Sequence, residues 1–287
     1  MGALLMIVDS VINQGEGMVV RHYGKRHGSG GMLFNAIICL FSILFFVITD
    51  RQGLYFSGTL VLYGLVSSLF FAIGFYAMYM ALQLGSFIAT KLISSFSGVI
   101  SIVYGIFFLH EESNVITWLA IGMVFLSVFL MRYKKSEPDE RKKLSAGWLF
   151  WTLASAVSNG LIAVISREQQ LYFSHAYDNE FMIVSFGGAF AMLTVLGIIK
   201  ERDTLKSTAK NGVLYGAVAG LLNGGKNWVN LLLYLYVPIS VATPMKTGLG
   251  LLLSFLISLL IYKEKFSKRQ LISVGIGAVA LILFKVA

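Results

Sequence analysis

The chain has a single cysteine, Cys39, set in an apolar run, which excludes an internal disulfide and leaves redox compartment unspecified. Charge is scarce as well: 13% of residues are charged against 57% apolar, and the mean hydropathy is +0.77. A soluble globular fold carries more polar surface than this, so the composition suits a bilayer as solvent. Enzyme signatures are missing: His110-Glu111-Glu112 lacks the second histidine of a zinc-protease helix, and there is no G-x-S-x-G or P-loop. His22, His27, His110 and His175 all fall at or near expected loops, so no catalytic residue, metal or cofactor is expected. The first twenty residues lack a basic leader and are interrupted by Asp9, Asn13 and Glu16, so they are expected to be a helix of the mature protein rather than a removable signal.

What is present is a series of apolar runs. Spans of roughly 17 to 25 apolar residues cross a bilayer core as helices, and ten fit: 2–20, 31–49, 58–82, 86–109, 114–132, 146–166, 181–199, 211–235, 238–262 and 269–285. The only hydrophilic linker of any length runs from Arg132 to Ser145 and contains Pro138. The two halves it separates resemble each other. Ala89-Thr90, Ser94, Ser101, Glu111 and Gly122 reappear 153 positions later as Ala242-Thr243, Thr247, Ser254, Glu264 and Gly275. Leu62-Tyr63-Gly64 answers to Leu214-Tyr215-Gly216, and Ser10 and Gly15 to Ser155 and Gly160. Five spans per half is an odd number, so the halves insert in opposite orientation. The expected fold is an all-α integral membrane protein, ten transmembrane helices in two inverted five-helix repeats, with units 1–134 and 146–287 joined by 135–145.

The net charge of +9 looks like a nucleic-acid signal until the charges are placed. Arg21, Lys25 and Arg26, the basic residues of 132–143, Lys200 to Lys210 and Lys263 to Arg269 all fall in loops of one face, against Arg51, Arg167 and Lys285 on the other. They read as topology determinants, with no nucleic-acid partner expected and both termini on the non-cytoplasmic side of a cell membrane.

Polar residues inside the spans are the functional candidates. Gly212, Gly216, Gly220 and Gly224 recur every four residues, with Gly64, Ser68 and Ala72 at matching places in the third span, and packing of small faces accounts for them. Beside them Asn223, Lys226, Asn227 and Asn230 form a polar stripe. Lys226 lies nine residues from the span end, about 14 Å deep at 1.5 Å per residue, too deep to snorkel easily. It reads either as half of a structural ion pair or as part of a solute or ion site. In the ninth span Pro238 opens the helix, Pro244 interrupts it and Lys246 follows, at the same depth as Lys226; the alternatives are a broken-helix site and a plain proline kink. Hydroxyls line one face of the fourth span (Ser86, Thr90, Ser94, Ser97, Ser101) and of the ninth (Ser240, Thr243, Thr247, Ser254, Ser258), as a cavity wall or as interhelical glue. Asn159 with Ser155 and Ser158 gives the sixth span an uncharged polar face. Asp9, Asn13 and Glu16 make an acidic stripe on the first span; its carboxylates either neutralise a lysine or, unpaired, carry protons. Lys91 lies off the hydroxyl stripe near a helix start and is expected to snorkel, while Glu111 and Glu264 read as interfacial.

Two five-span repeats, each with a small/polar-rich helix ending in Glu and followed by a Gly-containing helix, resemble the EamA family of the drug/metabolite transporter superfamily. The specific part is 89–122 and 242–275; where the family often has a proline before the Glu, this chain has Phe96 and Leu249. The resemblance implies secondary transport of amino acids, metabolites or drugs through a central cavity. Combined with the residues, it gives an exporter of small polar metabolites, amino acids or organic anions. Lys226 and Lys246 attract the solute, Asn223, Asn227, Thr243, Thr247, Asn159 and Ser94 bond it, and Asp9 or Glu16 balances charge or relays protons. Efflux of cationic drugs on Asp9 and Glu16, and a lipid-carrier flippase or non-transporting partner subunit, are the other readings; oligomeric state is not legible.

Overall fold

The computed structural model describes residues 1–27, 31–50, 53–85, 87–94, 97–110, 114–132, 145–261 and 268–286. Glu111, Glu264, Ser86, Phe96 and nearly all of the linker lie outside them, as do the side chains of Pro244, Thr247 and Ser258. In a bilayer every backbone N–H and C=O has to be satisfied within the chain, and the helix does this locally. The described residues form α1 (Gly2–His27), α2 (Gly31–Thr49), α3 (Gly58–Leu84), α4 (Phe87–Ser94), α5 (Ser97–Phe107) and α6 (Val115–Arg132). They continue with α7 (Ala146–Tyr172), α8 (Asp178–Lys200), α9 (Leu205–Tyr236), α10 (Ile239–Leu260) and α11 (Lys268–Val286). Six of these helices are long and apolar enough to cross a membrane: α1, α2, α3, α7, α8 and the Ile239–Ile257 stretch of α10.

Several helices outrun their expected ends. The α1 helix continues to His27 and α7 to Tyr172, because the polar residues after the apolar runs, such as Arg21 and Gln169, are buried against neighbouring helices rather than left in loops. The fourth expected span is described over Phe87–Ser94 and Ser97–Phe107, and residues 95 and 96 between them lie outside the described residues. Pro238 caps α10, and the helix then runs without interruption past Pro244, so the broken-helix alternative for this span is not what forms.

The helices pack in matched pairs: α1 on α9 as α7 on α3, α2 on α9 as α8 on α3, α1 on α10 as α7 on α5, with α2 against α8 and α6 against α11. Small residues set these distances. A Cβ on Gly220 would stand 2.6 Å from both the Ile38 carbonyl oxygen and Phe41 Cβ, and one on Gly224 2.7 Å from the Phe45 ring, so the glycine face of α9 lies directly on α2. The corresponding face of α3 lies on α8, where a Cβ on Gly64 would come within 2.5 Å of Val184. Packing of this kind holds helices together in lipid, where the hydrophobic effect does not. The aromatic core of Phe46, Phe71 and Phe186 fills the space between α2, α3 and α8, with the Phe71 and Phe186 ring centroids 4.6 Å apart. Serines join α6 and α11: Ser127 Oγ donates to the Ser273 carbonyl at 2.8 Å, and Ser273 Oγ returns the bond to the Ser127 carbonyl at 2.5 Å.

Candidate functional site

The α1 helix lies between α9 and α10. It runs antiparallel to α9, since Gly2 sits by Val237 and Tyr23 by Gly212. It runs parallel to α10, where Gln14 Nε2 donates to the Gly250 carbonyl at 3.0 Å. Asp9, Ser10, Gln14 and Glu16 are all buried between these neighbours, and Asn13 partly so.

These residues border a cavity of about 250 Å³. Its walls come from α1, α3, α4, α5, α7, α8, α9 and α10. Asp9, Glu16, Ser94, Asn159, Asn223, Lys226, Asn227, Thr243 and Lys246, all candidates from the sequence, line it together with Asn13, Gln14, Lys91, Asn230 and Tyr234. Thr247, the remaining candidate, has its side chain outside the described residues.

The centre of the polar wall is an ion pair. Lys226 Nζ donates to Glu16 Oε2 at 2.6 Å, with the two side chains 18% and 10% exposed. Asn223 Nδ2 donates to Glu16 Oε1 at 2.8 Å, so both carboxylate oxygens are engaged. Asn223 is held in turn: its carbonyl and Oδ1 accept from Asn227 Nδ2 at 2.9 and 3.2 Å, and Ser42 Oγ on α2 lies 3.4 Å from that Oδ1. Since Ser42 Oγ also lies 3.0 Å from the Gly220 carbonyl, the close approach of α2 and α9 and the placing of Asn223 have one cause.

Asp9 stands two helical turns from Glu16, at the other end of the wall. It is 5% exposed, its Oδ1 has no hydrogen-bond partner among the described residues, and the cations whose charges reach it are Lys246 and Lys226. Lys246 Nζ donates to Asn230 Oδ1 and lies 5.3 Å from the centre of the Tyr234 ring. The two lysines therefore do not face each other across an empty space; the carboxylates of α1 are interleaved with them.

The snorkelling expected of Lys91 is incorrect. Its ammonium turns into the bundle, 3.3 Å from the Asn13 carbonyl and 3.4 Å from Asn13 Oδ1, and 5.8 Å from the Phe87 ring centre. Spacing alone placed Lys91 off the hydroxyl stripe; what redirects it is Gly17, where a Cβ would stand 2.7 Å from Lys91 Cε. The cavity thus has three lysines, Lys91, Lys226 and Lys246, against two carboxylates, Asp9 and Glu16. Asn159 turns to its own helix, with Nδ2 donating to the Ser155 carbonyl at 2.7 Å, while Ser94 Oγ and Thr243 Oγ1 are buried without a hydrogen-bond partner.

Comparison with known proteins bears on this arrangement at two levels. One solved structure, described only as "Crystal structure of protein", is similar in fold, with a TM-score of 0.64 at 14% identity over 96% of this chain and 98% of that one. No curated protein matches. The EamA-like transporter family matches residues 1–133 and again residues 146–286, so both halves of the sequence are accounted for. The chain therefore belongs to the EamA-like transporter family and is a multi-pass membrane transporter of the drug/metabolite superfamily.

Proposed function

We propose that this protein is a secondary transporter that carries a small polar solute, an amino acid or organic anion, through the central cavity by alternating access. In this reading units 1–134 and 146–287 are the inverted halves of a ten-span bundle in the cell membrane. Both termini lie outside the cytoplasm, and export is the favoured direction. The observation that carries it is the cavity itself: five ionisable side chains from both halves are collected inside a bilayer-embedded bundle. A charge in such a place is costly, and its usual setting is a solute path or proton relay. The size supports metabolites over drugs, since about 250 Å³ is below the roughly 300 to 1,000 Å³ of drug-sized pockets. Asn223, Asn227, Asn159, Thr243 and Ser94 supply hydrogen bonds, and Asp9, whose Oδ1 has no partner among the described residues, is the carboxylate available for charge balance or protons. Cation efflux on Asp9 and Glu16 has less support, because both Glu16 oxygens already have donors.

The test is efflux from proteoliposomes loaded with defined amino acids and small organic anions, read by mass spectrometry. Solute loss above protein-free vesicles is expected, and Ala163→Trp, which fills the cavity wall, is expected to stop it. Loss no faster than from empty vesicles, or full activity in Ala163→Trp, refutes the proposal.

A further inference from the structure

We infer that Lys91 is the anion-binding residue of the cavity and that it takes the carboxylate of a small monoanionic solute at the wall formed by α1, α4 and α5. This rests on the transport reading above and divides the labour among the three lysines.

Lys226 is committed to a carboxylate at 2.6 Å. Lys246 is bonded to Asn230 and lies against the Tyr234 ring, 5.3 Å from its centre. Lys91 is held more loosely: its hydrogen bonds go to oxygens of Asn13 at 3.3 and 3.4 Å, and it makes no ion pair among the described residues. An enclosed ammonium without a counter-ion is expensive to keep. A chain that needed only a membrane-edge lysine here would let it snorkel. Instead the tip of Lys91 lies along α1 at Gly17, where a Cβ would stand 2.7 Å from Cε and 2.9 Å from Nζ.

The wall beside it is supplied with idle donors. Ser94 follows Lys91 by three residues and so shares its helical face. It lines the cavity at 9% exposure, and its Oγ has no hydrogen-bond partner. The inferred carboxylate places one oxygen at the ammonium and the other at the hydroxyl. A monoanion also suits a lining that has three lysines against the two carboxyl groups of Asp9 and Glu16.

The test uses the full-length protein in nanodiscs, with thermal stability read against lactate and pyruvate as monoanions and methylammonium as the cationic control. Lactate or pyruvate is expected to stabilise the wild type, and Lys91→Met to weaken the apparent affinity roughly 10- to 100-fold, as loss of one charged hydrogen-bonding group implies. Lys91→Arg should retain binding, and Gly17→Ala, which pushes on the lysine tip, should weaken it. Ser127→Ala, at the distant α6–α11 contact, should bind as the wild type does. If Lys91→Met does not fold, retention in Lys91→Arg with loss in Gly17→Ala supports the assignment, and equal binding in the two overturns it. Unchanged monoanion binding in Lys91→Met overturns it while leaving the transport reading standing, provided Ala163→Trp still abolishes efflux. Stabilisation by methylammonium alone, or by none of the three probes, also overturns it.

Discussion

Breaking the ion pair between α1 and α9 should cost more than its two charges are worth together. At 2.6 Å and an effective dielectric constant of about 20, two unit charges attract by about 6 kcal/mol, most of it offset by the loss of hydration on burial. Removing one member does not recover that hydration. Lys226→Met leaves Glu16 with a donor on one oxygen only, and Glu16→Gln turns an amide N–H or a weaker acceptor towards an ammonium that stays enclosed. Each single change is therefore expected to cost about 3 to 5 kcal/mol, the range for an orphaned buried charge. At roughly 2 °C per kcal/mol for a chain of this size, that is a fall of about 6 to 10 °C in Tm. Glu16→Gln with Lys226→Met together removes both charges and should cost no more than either alone, giving a coupling of at least about 3 kcal/mol. Equilibrium unfolding in mixed micelles, run as a double-mutant cycle, measures it. A double variant whose loss equals the two single losses added would show that the residues do not act as a pair.

Two further outcomes follow from the packing. Gly220→Ala puts a methyl group 2.6 Å from the Ile38 carbonyl and should cost about 1 to 3 kcal/mol, whereas Gly275→Ala meets nothing within 4 Å and should be neutral or gain up to about 1 kcal/mol; Tm shifts of the same sign and size would contradict this. Glu201 accepts from the Met32 and Leu33 amides at 3.0 to 3.1 Å and so caps α2 from the α8–α9 connection, and Glu201→Ala should lower stability by about 1 to 2 kcal/mol, checked by the same unfolding measurement.

The spacing of small residues was readable in advance because helical periodicity converts directly into a face, and the glycines of α9 do lie on α2. Partners were not readable. Asp9 and Glu16 share a helix face and differ by two turns, and only the antiparallel setting of α1 against α9 gives Lys226 to Glu16 and leaves Asp9 beside Lys246. Lys91 was misjudged because the direction of a long side chain is decided by what the neighbouring helix leaves open. The one available hint, Gly17, sits in a different helix with no sequence relation to position 91. The cap from Glu201 and the paired serines of α6 and α11 are likewise contacts between segments 146 or more residues apart.

The wedge of α1 between an antiparallel and a parallel neighbour has a mechanical meaning. Its attachments are unequal: a bonded ion pair with a supporting amide towards α9, and towards α10 a hydrogen bond from Gln14 to the Gly250 carbonyl and the charge of Lys246 near Asp9. A force that parts α9 from α10 is therefore expected to open the α10 seam first and leave α1 with α9. The wet face of α1 would then be uncovered from the α10 side, carrying both carboxylates with it.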